Sequence, residues 1–465
     1  MADIATAANE GPNTKPLLDK PHPDGDVKVI NFSEMELENT KVNDEHGMGV
    51  RHPTTFFETL FHLIKGNIGS GMFAMGDAFK NAGLMLGPVL TVFLGVICVY
   101  GNHVLINSSK ELAQRRNLKV YPTFPDTMEW AFQTGPRYFR RFSKTIRLLV
   151  KIFNIIAQLG FCSVYFVFIS STLTTILEHY GHHVDVHVLM ALIFIPMVST
   201  AMVRSLKFLV PFSVLANILT GLGVFLTMYI SMHDLPPVSS RPAIAPIDRL
   251  PLFFGTAIYC FEGIGLVLPL QSEMKKPDKF GGWFGVLNVG MSLVGCVLLW
   301  MGFVGYLKYG EDVEGSLTLN LPPASVFSEV VQLTIAVGLL FSYALQFHVA
   351  VCFVWPDFNR KHGPFKRPVQ AELCVRFCLA LVTFIAAEVV PHLGLFISLL
   401  GSVSSTALAL VFPPLCDLAL HYGRTPGPNY AFDVLSLTLA LIGFLTGSYF
   451  SLHDIFVAFF GQTGT

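Results

Sequence analysis

FHLIKGNIGSGMF, residues 61–73, is an apolar run interrupted by His62, Lys65 and three glycines. A glycine inside a helix costs about 1 kcal/mol relative to alanine. A segment holding Gly66, Gly69 and Gly71 is therefore built to keep its backbone open.

The chain around it is strongly apolar. Of 465 residues, 52% are hydrophobic, only 14% are charged and 41 are phenylalanine. A soluble core of that size cannot hide so much apolar side chain, so the chain reads as a polytopic membrane protein embedded in a lipid bilayer. Its formal net charge of -1 carries none of the basic surplus that marks a nucleic-acid partner. Eight cysteines lie inside or beside apolar segments, where they read as small core residues and not as a disulfide framework.

A bilayer crossing takes about 20 mostly apolar residues. That length places spans at 55–80, 84–108, 148–178, 187–203, 209–232, 250–270, 283–307, 326–355, 371–390, 393–415 and 432–455, eleven in all. Continuous apolar runs exclude a β-barrel, whose strands alternate. The expected fold is all-α and polytopic. Residues 1–54 are polar, without the apolar stretch of a cleaved signal, and read as a disordered cytosolic tail; 55–455 form the transmembrane domain, and 456–465 a short extracellular or lumenal tail. Lys and Arg set this orientation. They crowd into 109–147, 271–282 and 356–370, whereas the opposite loops carry little beyond Arg241, Arg249 and Lys308.

The sixth span repeats the interruption of the first, in YCFEGIGLVLP at 259–269. Five spans separate the two, so the second break enters the membrane in the opposite direction. Paired interruptions in inverted halves point to the substrate site of a secondary transporter. Backbone groups freed in hydrocarbon cost several kcal/mol each unless they line a cavity or meet a ligand. Unwinding from Asn67 through Ile68 and Gly69 to Ser70 turns the N-terminal amides and positive dipole end of a half-helix starting near Gly71 toward a carboxylate. Glycines 66, 69 and 71 permit close approach, and Ser70 adds a hydroxyl. Carbonyls freed around Cys260, Phe261, Gly263 and Gly265 would accept from an ammonium group. A zwitterionic α-amino acid matches both ends; the competing reading is close helix packing through small residues.

Glu58, His62 and Lys65 share one helix face by spacing. His62 titrates near physiological pH and could carry a proton, against the reading of a neutral histidine bonded within the bundle. Lys65 reads as structural, closing against a carbonyl or Glu262. Glu262 sits mid-span, where an acid costs about 2.5–3.5 kcal/mol on insertion scales. It is read as cavity-facing, to bind a proton, the substrate ammonium or a basic side chain. Asp77 reads as an exposed helix-end acid and His348 as a satisfied core histidine. The sequence holds no zinc-spaced cluster, nucleotide-binding glycine loop or ATPase motif. No cofactor and no enzyme activity are expected, and a gradient is the expected driving force.

HLIKGNIGSGMFAMGDAFKNAGLMLGP (62–88) resembles the first span and following turn of the proton-coupled amino acid transporters, within the amino acid/auxin permease superfamily. QLGFCSVYFVF (158–168), FFGTAIYCFEGIGLVLPL (253–270), SYALQF (342–347) and GSVSSTALALVFPPL (401–415) extend the resemblance through most of 55–415. It implies a leucine-transporter-like fold of eleven spans with a 5+5 inverted repeat and broken first and sixth helices. It also implies proton symport of small neutral amino acids such as glycine, alanine and proline, with His62 in proton coupling and Glu262 as a site residue. A rival reading is an amino acid sensor at an endolysosomal membrane, signalling through a cytosolic partner docked on the tail. Plasma membrane and lysosomal or late endosomal membrane are both open.

Overall fold

The computed structural model describes residues 53–118, 120–204, 206–322, 325–423 and 428–460. The amino-terminal tail expected over 1–54 lies outside the described residues up to 52.

Helix α1 (Phe56–Asn67) starts at a capping box. The Thr55 hydroxyl accepts the Glu58 amide at 3.4 Å, and the Glu58 carboxylate accepts the Thr55 amide at 2.7 Å. Glu58 is thereby committed to its own helix start. At Ile68 the backbone leaves the helical region and Gly69 is extended. A 3₁₀ turn (Ser70–Ala74) and α2 (Met75–Ala82) complete the span. The break is narrower than predicted: Asn67 ends one half and Ser70 already begins the other.

The chain continues through α3 (Leu86–Arg115), α4 (Phe124–Thr134), α5 (Arg137–Arg141), α6 (Ser143–His179), α7 (Val186–Ala201) and α8 (Leu206–Ser231). The sixth span is split into α9 (Leu250–Cys260) and α10 (Ile264–Glu273) by Phe261, Glu262 and Gly263. Then follow α11 (Val286–Tyr309), α12 (Val326–His362), α13 (Pro368–Val389), α14 (Leu393–Leu400), two π-helical turns (Gly401–Ser405 and Ala407–Val411), α15 (Phe412–Leu420) and α16 (Pro428–Phe460). Nine helical segments among the described residues are long and apolar enough to cross a membrane. The 16-residue α7 and the broken first span bring the total to the eleven expected.

The basic segment 109–147 holds two helices, α4 and α5. The signal for α4 is local: Thr123 caps it, Pro125 sits in its first turn, and Asp126 follows. The last helix runs to Phe460, five residues into the expected 456–465 tail.

The π turns lie where the tenth span meets α9. A Cβ built on Gly401 would stand 1.8 Å from the Gly255 carbonyl oxygen, and one on Gly255 would stand 2.3 Å from that of Ser398. Because the obstructing atoms are backbone, neither side can yield by a rotamer change. Gly401→Ala is expected to destabilise the bundle by about 3 kcal/mol or more, at the upper end for overpacked cores. A thermal unfolding series in detergent measures it.

α13 carries a buried ion pair that ties α7, α12 and α13 together. Arg376 Nε donates to Glu372 at 3.0 Å, and Arg204 holds the other carboxylate oxygen at 2.7 Å. Arg376 also donates to the Ala201 and Val203 carbonyls, capping the end of α7, and lies 3.4 Å from His348 Nδ1. His348 is the core residue that its surroundings predicted. Glu372→Ala would leave the Arg376 charge buried without its carboxylate, at an expected cost of about 3–5 kcal/mol. Loss of thermal stability without a shift in substrate preference is the expected result.

Candidate functional site

The two breaks lie against each other in opposite chain directions. A Cβ on Gly66 would touch Leu266, one on Gly263 would touch Asn67, and one on Gly71 would touch Tyr259 and Cys260. Partners thus fall in number on one break as they rise on the other, the antiparallel relation expected from five intervening spans. Cys260 Sγ donates to the Gly71 carbonyl at 3.0 Å, closing this contact on one side. At its other end the main chain of Thr54 bonds Glu273 and Lys275, at 2.8 and 3.0 Å.

Between the breaks lies a cavity of about 40 Å³. Of the residues singled out in the sequence, Gly66, Asn67, Gly69, Ser70, Gly71, Cys260 and Glu262 line it. The other four predicted contacts face elsewhere. Ile68 packs against the core, and Phe261 lies on Gly95 of α3. Gly263 makes room for the Asn67 side chain, and Gly265 abuts Asn154 of α6. Their smallness or bulk serves the packing that holds the breaks open.

The remaining wall was not found from the sequence. Phe161 and Tyr165 come from α6, Tyr259 from α9 and Gln346 from α12. Phe161 and Tyr165 are four residues apart and so share a helix face. Gln346 is held by a 2.5 Å bond to Gln158, three residues before Phe161. The Phe161 and Tyr259 rings meet edge to face with centroids 4.9 Å apart, which fixes one side of the cavity.

Some of the lining residues carry buried polar atoms without a hydrogen-bond partner among the described residues. Glu262 is buried and its Oε2 has no hydrogen-bond partner among the described residues, nor does Asn67 Oδ1. Ser405, from the first π turn, stands beside Glu262. Gly69, the residue before the second half-helix, makes no side-chain cap, so no side chain at that position takes up the first-turn amides. A buried unsatisfied polar group costs about 1–3 kcal/mol. The lining thus combines acceptor oxygens on Glu262 and Asn67 with backbone amides at Ser70 and Gly71, a mix that suits a zwitterion.

Other predicted residues sit apart from the cavity. His62 is exposed on α1, edge-on to Phe61, and does not line it. Lys65 donates to the Ser213 hydroxyl of α8, not to a carbonyl or to Glu262. Asp77 is not an exposed end group: it is half-buried, its carboxylate pressed on Gly394 at the start of α14.

The sequence profile described as transmembrane amino acid transporter protein matches residues 52–453. The proton-coupled amino acid transporter-like protein pathetic of Drosophila melanogaster is 35% identical over 373 residues, 80% of this chain and 78% of that protein. Amino acid transporter AVT3A of Arabidopsis thaliana is 27% identical over 418 residues, 87% and 90% of the two chains. Among solved structures, that of MhsT in complex with L-phenylalanine aligns over 86% of this chain and 97% of its own, with 13% identity and a TM-score of 0.46.

Proposed function

The chain belongs to the transmembrane amino acid transporter family, and on that premise we propose that it is a proton-coupled symporter of small neutral amino acids such as glycine, alanine and proline. Substrate would cross by alternating access around the two breaks. The observation that carries the reading is the buried, unpartnered carboxylate oxygen of Glu262 in the same small cavity as an uncapped helix start. Glu262 is the proton-coupling acid, and the amides at Ser70 and Gly71 receive the substrate carboxylate. A cavity of about 40 Å³ walled by Phe161, Tyr165 and Tyr259 favours a substrate with little side chain. The Drosophila relative, named as proton-coupled, supports the same coupling.

His62 completes the proposal as a second proton-handling group. It lies one turn before Gly66 on the half-helix that must move when the cavity opens. The proposal has the amino terminus in the cytosol and the carboxyl terminus outside or in a lumen, at the plasma membrane or a lysosomal or late endosomal membrane; the concentration of Lys and Arg in 109–147, 271–282 and 356–370 supports that orientation.

The test is uptake of labelled glycine, alanine and proline into proteoliposomes, with and without an imposed proton gradient. Accumulation that requires the gradient and collapses with a protonophore is expected. Substrate that binds without accumulating would replace symport with the sensor reading. His62→Ala is expected to lose gradient-driven accumulation at normal protein level in the vesicles, and accumulation matching the unaltered protein would remove His62 from coupling.

A further inference from the structure

Helices α3, α15 and α16 meet around titratable groups that the substrate cavity does not use. Asp433 of α16 is 0% exposed. Its Oδ1 accepts from the Tyr100 hydroxyl at 2.8 Å, while its Oδ2, equally buried, has no hydrogen-bond partner among the described residues. Asp417 of α15 is its acidic neighbour. Among the described residues, the titratable groups around Asp433 are Tyr100 from α3 and Cys416, Asp417 and His421 from α15. From Asp417 the contacts lead outward: His421 Nδ1 lies 2.9 Å from Asp417, His421 Nε2 lies 3.0 Å from Glu111, and Glu111 meets Arg115 at 2.6 Å. Side-chain exposure rises along that line, 16% at Asp417, 28% at His421, 30% at Glu111 and 35% at Arg115.

Two neighbouring ionised carboxylates repel, and neither can donate. One proton shared by the pair removes that repulsion and supplies a donor. His421 is posed to deliver that proton, since each ring nitrogen faces a carboxylate and both donate only when the ring is protonated. The groups run in a line and do not converge, and no three such side chains among the described residues are placed to hold a metal ion.

We propose that Asp417 and Asp433 bind one proton between them, exchanged through His421 and Glu111 with the solvent where α3 ends, as a second proton site distinct from the substrate cavity. Its occupancy sets the response of transport to pH on that face. α15 continues directly from the π turns that carry Ser405 beside Glu262, and Ser436 of α16 donates to the Leu410 carbonyl in the second turn. The grip of α15 on α16 therefore bears on the cavity wall.

Infrared difference spectra of the full-length protein in nanodiscs, titrated with pH and without substrate, read the site independently of transport. A protonated-carboxyl band that titrates in the unaltered protein is expected to vanish in both Asp433→Asn and Asp417→Asn. Either amide can donate to the remaining carboxylate and so preserve the contact without a proton. In proteoliposomes, varying pH only on the face where α3 ends should change uptake by up to about tenfold per unit, as single-proton binding gives, and Asp433→Asn should flatten that profile. His421→Gln should keep the band and slow its exchange. The same band persisting in both amide variants, or a site that answers to sodium or potassium concentration and not to pH, would overturn the proposal.

Discussion

Replacing Glu262 by glutamine is expected to reduce gradient-driven uptake on the order of 100-fold, equivalent to about 2.7 kcal/mol, while leaving exchange of labelled for unlabelled substrate in place. Glutamine keeps the size and hydrogen-bonding reach of the side chain but cannot change protonation state. Glu262 lies in the three-residue interval between α9 and α10, with one carboxylate oxygen unpartnered and Ser405 beside it. Such an acid is stable in hydrocarbon when neutral or when paired with a cation. Under symport the proton supplies the neutral form while the cavity turns over. Fixing neutrality with an amide removes the link between proton movement and turnover, yet lets the cavity load and reorient with substrate. Exchange needs only loading and reorientation, so it survives where accumulation fails. Loss of both activities would show Glu262 bound to the substrate ammonium, and unchanged accumulation would return it to a structural role.

The break positions were legible because they offend the rules of their surroundings. Glycines and a carboxylate inside an apolar run have few explanations, and both interruptions, at 66–71 and 259–265, occur where helix ends. The cavity walls were not legible for the opposite reason. α6 and α12 are apolar nearly all round, and a helix without a distinct polar face gives no indication of which side meets a cavity. Phe161, Tyr165 and Gln346 could be grouped by spacing or resemblance, but their direction depends on helices packed from elsewhere in the chain. Lys65 shows the same limit, because its partner Ser213 is 148 residues away on α8. Asp77 likewise lies against Gly394, far along the sequence. Glu58 could have been placed: Thr55 three residues before it is a capping-box signature in plain view.

The two glycines at the start of the second half-helix should separate sharply when each is changed to alanine. At Gly71 a Cβ would stand 2.8 Å from two atoms of the Tyr259 ring and 3.2 Å from Cys260 Sγ. The ring cannot swing away freely because Phe161 meets it edge to face, and the sulfur is engaged with the Gly71 carbonyl. Gly71→Ala must therefore push the two breaks apart, and a displacement of about 1 Å in a binding geometry can cost about 100-fold in rate. Uptake is expected to fall by that order for every substrate alike. At Gly69 the nearest atom to a new Cβ is the Tyr165 hydroxyl at 3.9 Å, and the backbone there is extended, a conformation alanine adopts freely. Gly69→Ala is therefore expected to fold and insert normally. Its methyl group projects toward Tyr165 and takes up room in a cavity of about 40 Å³. The result should be a steric filter, with glycine uptake least affected, alanine weaker, and proline weakest, read as a graded rise in KM in the proteoliposome assay. If Gly69→Ala lowers all three substrates equally, the residue supports the break without lining the path. If Gly71→Ala is silent, Tyr259 is free to move and the wall assigned to it is not a wall.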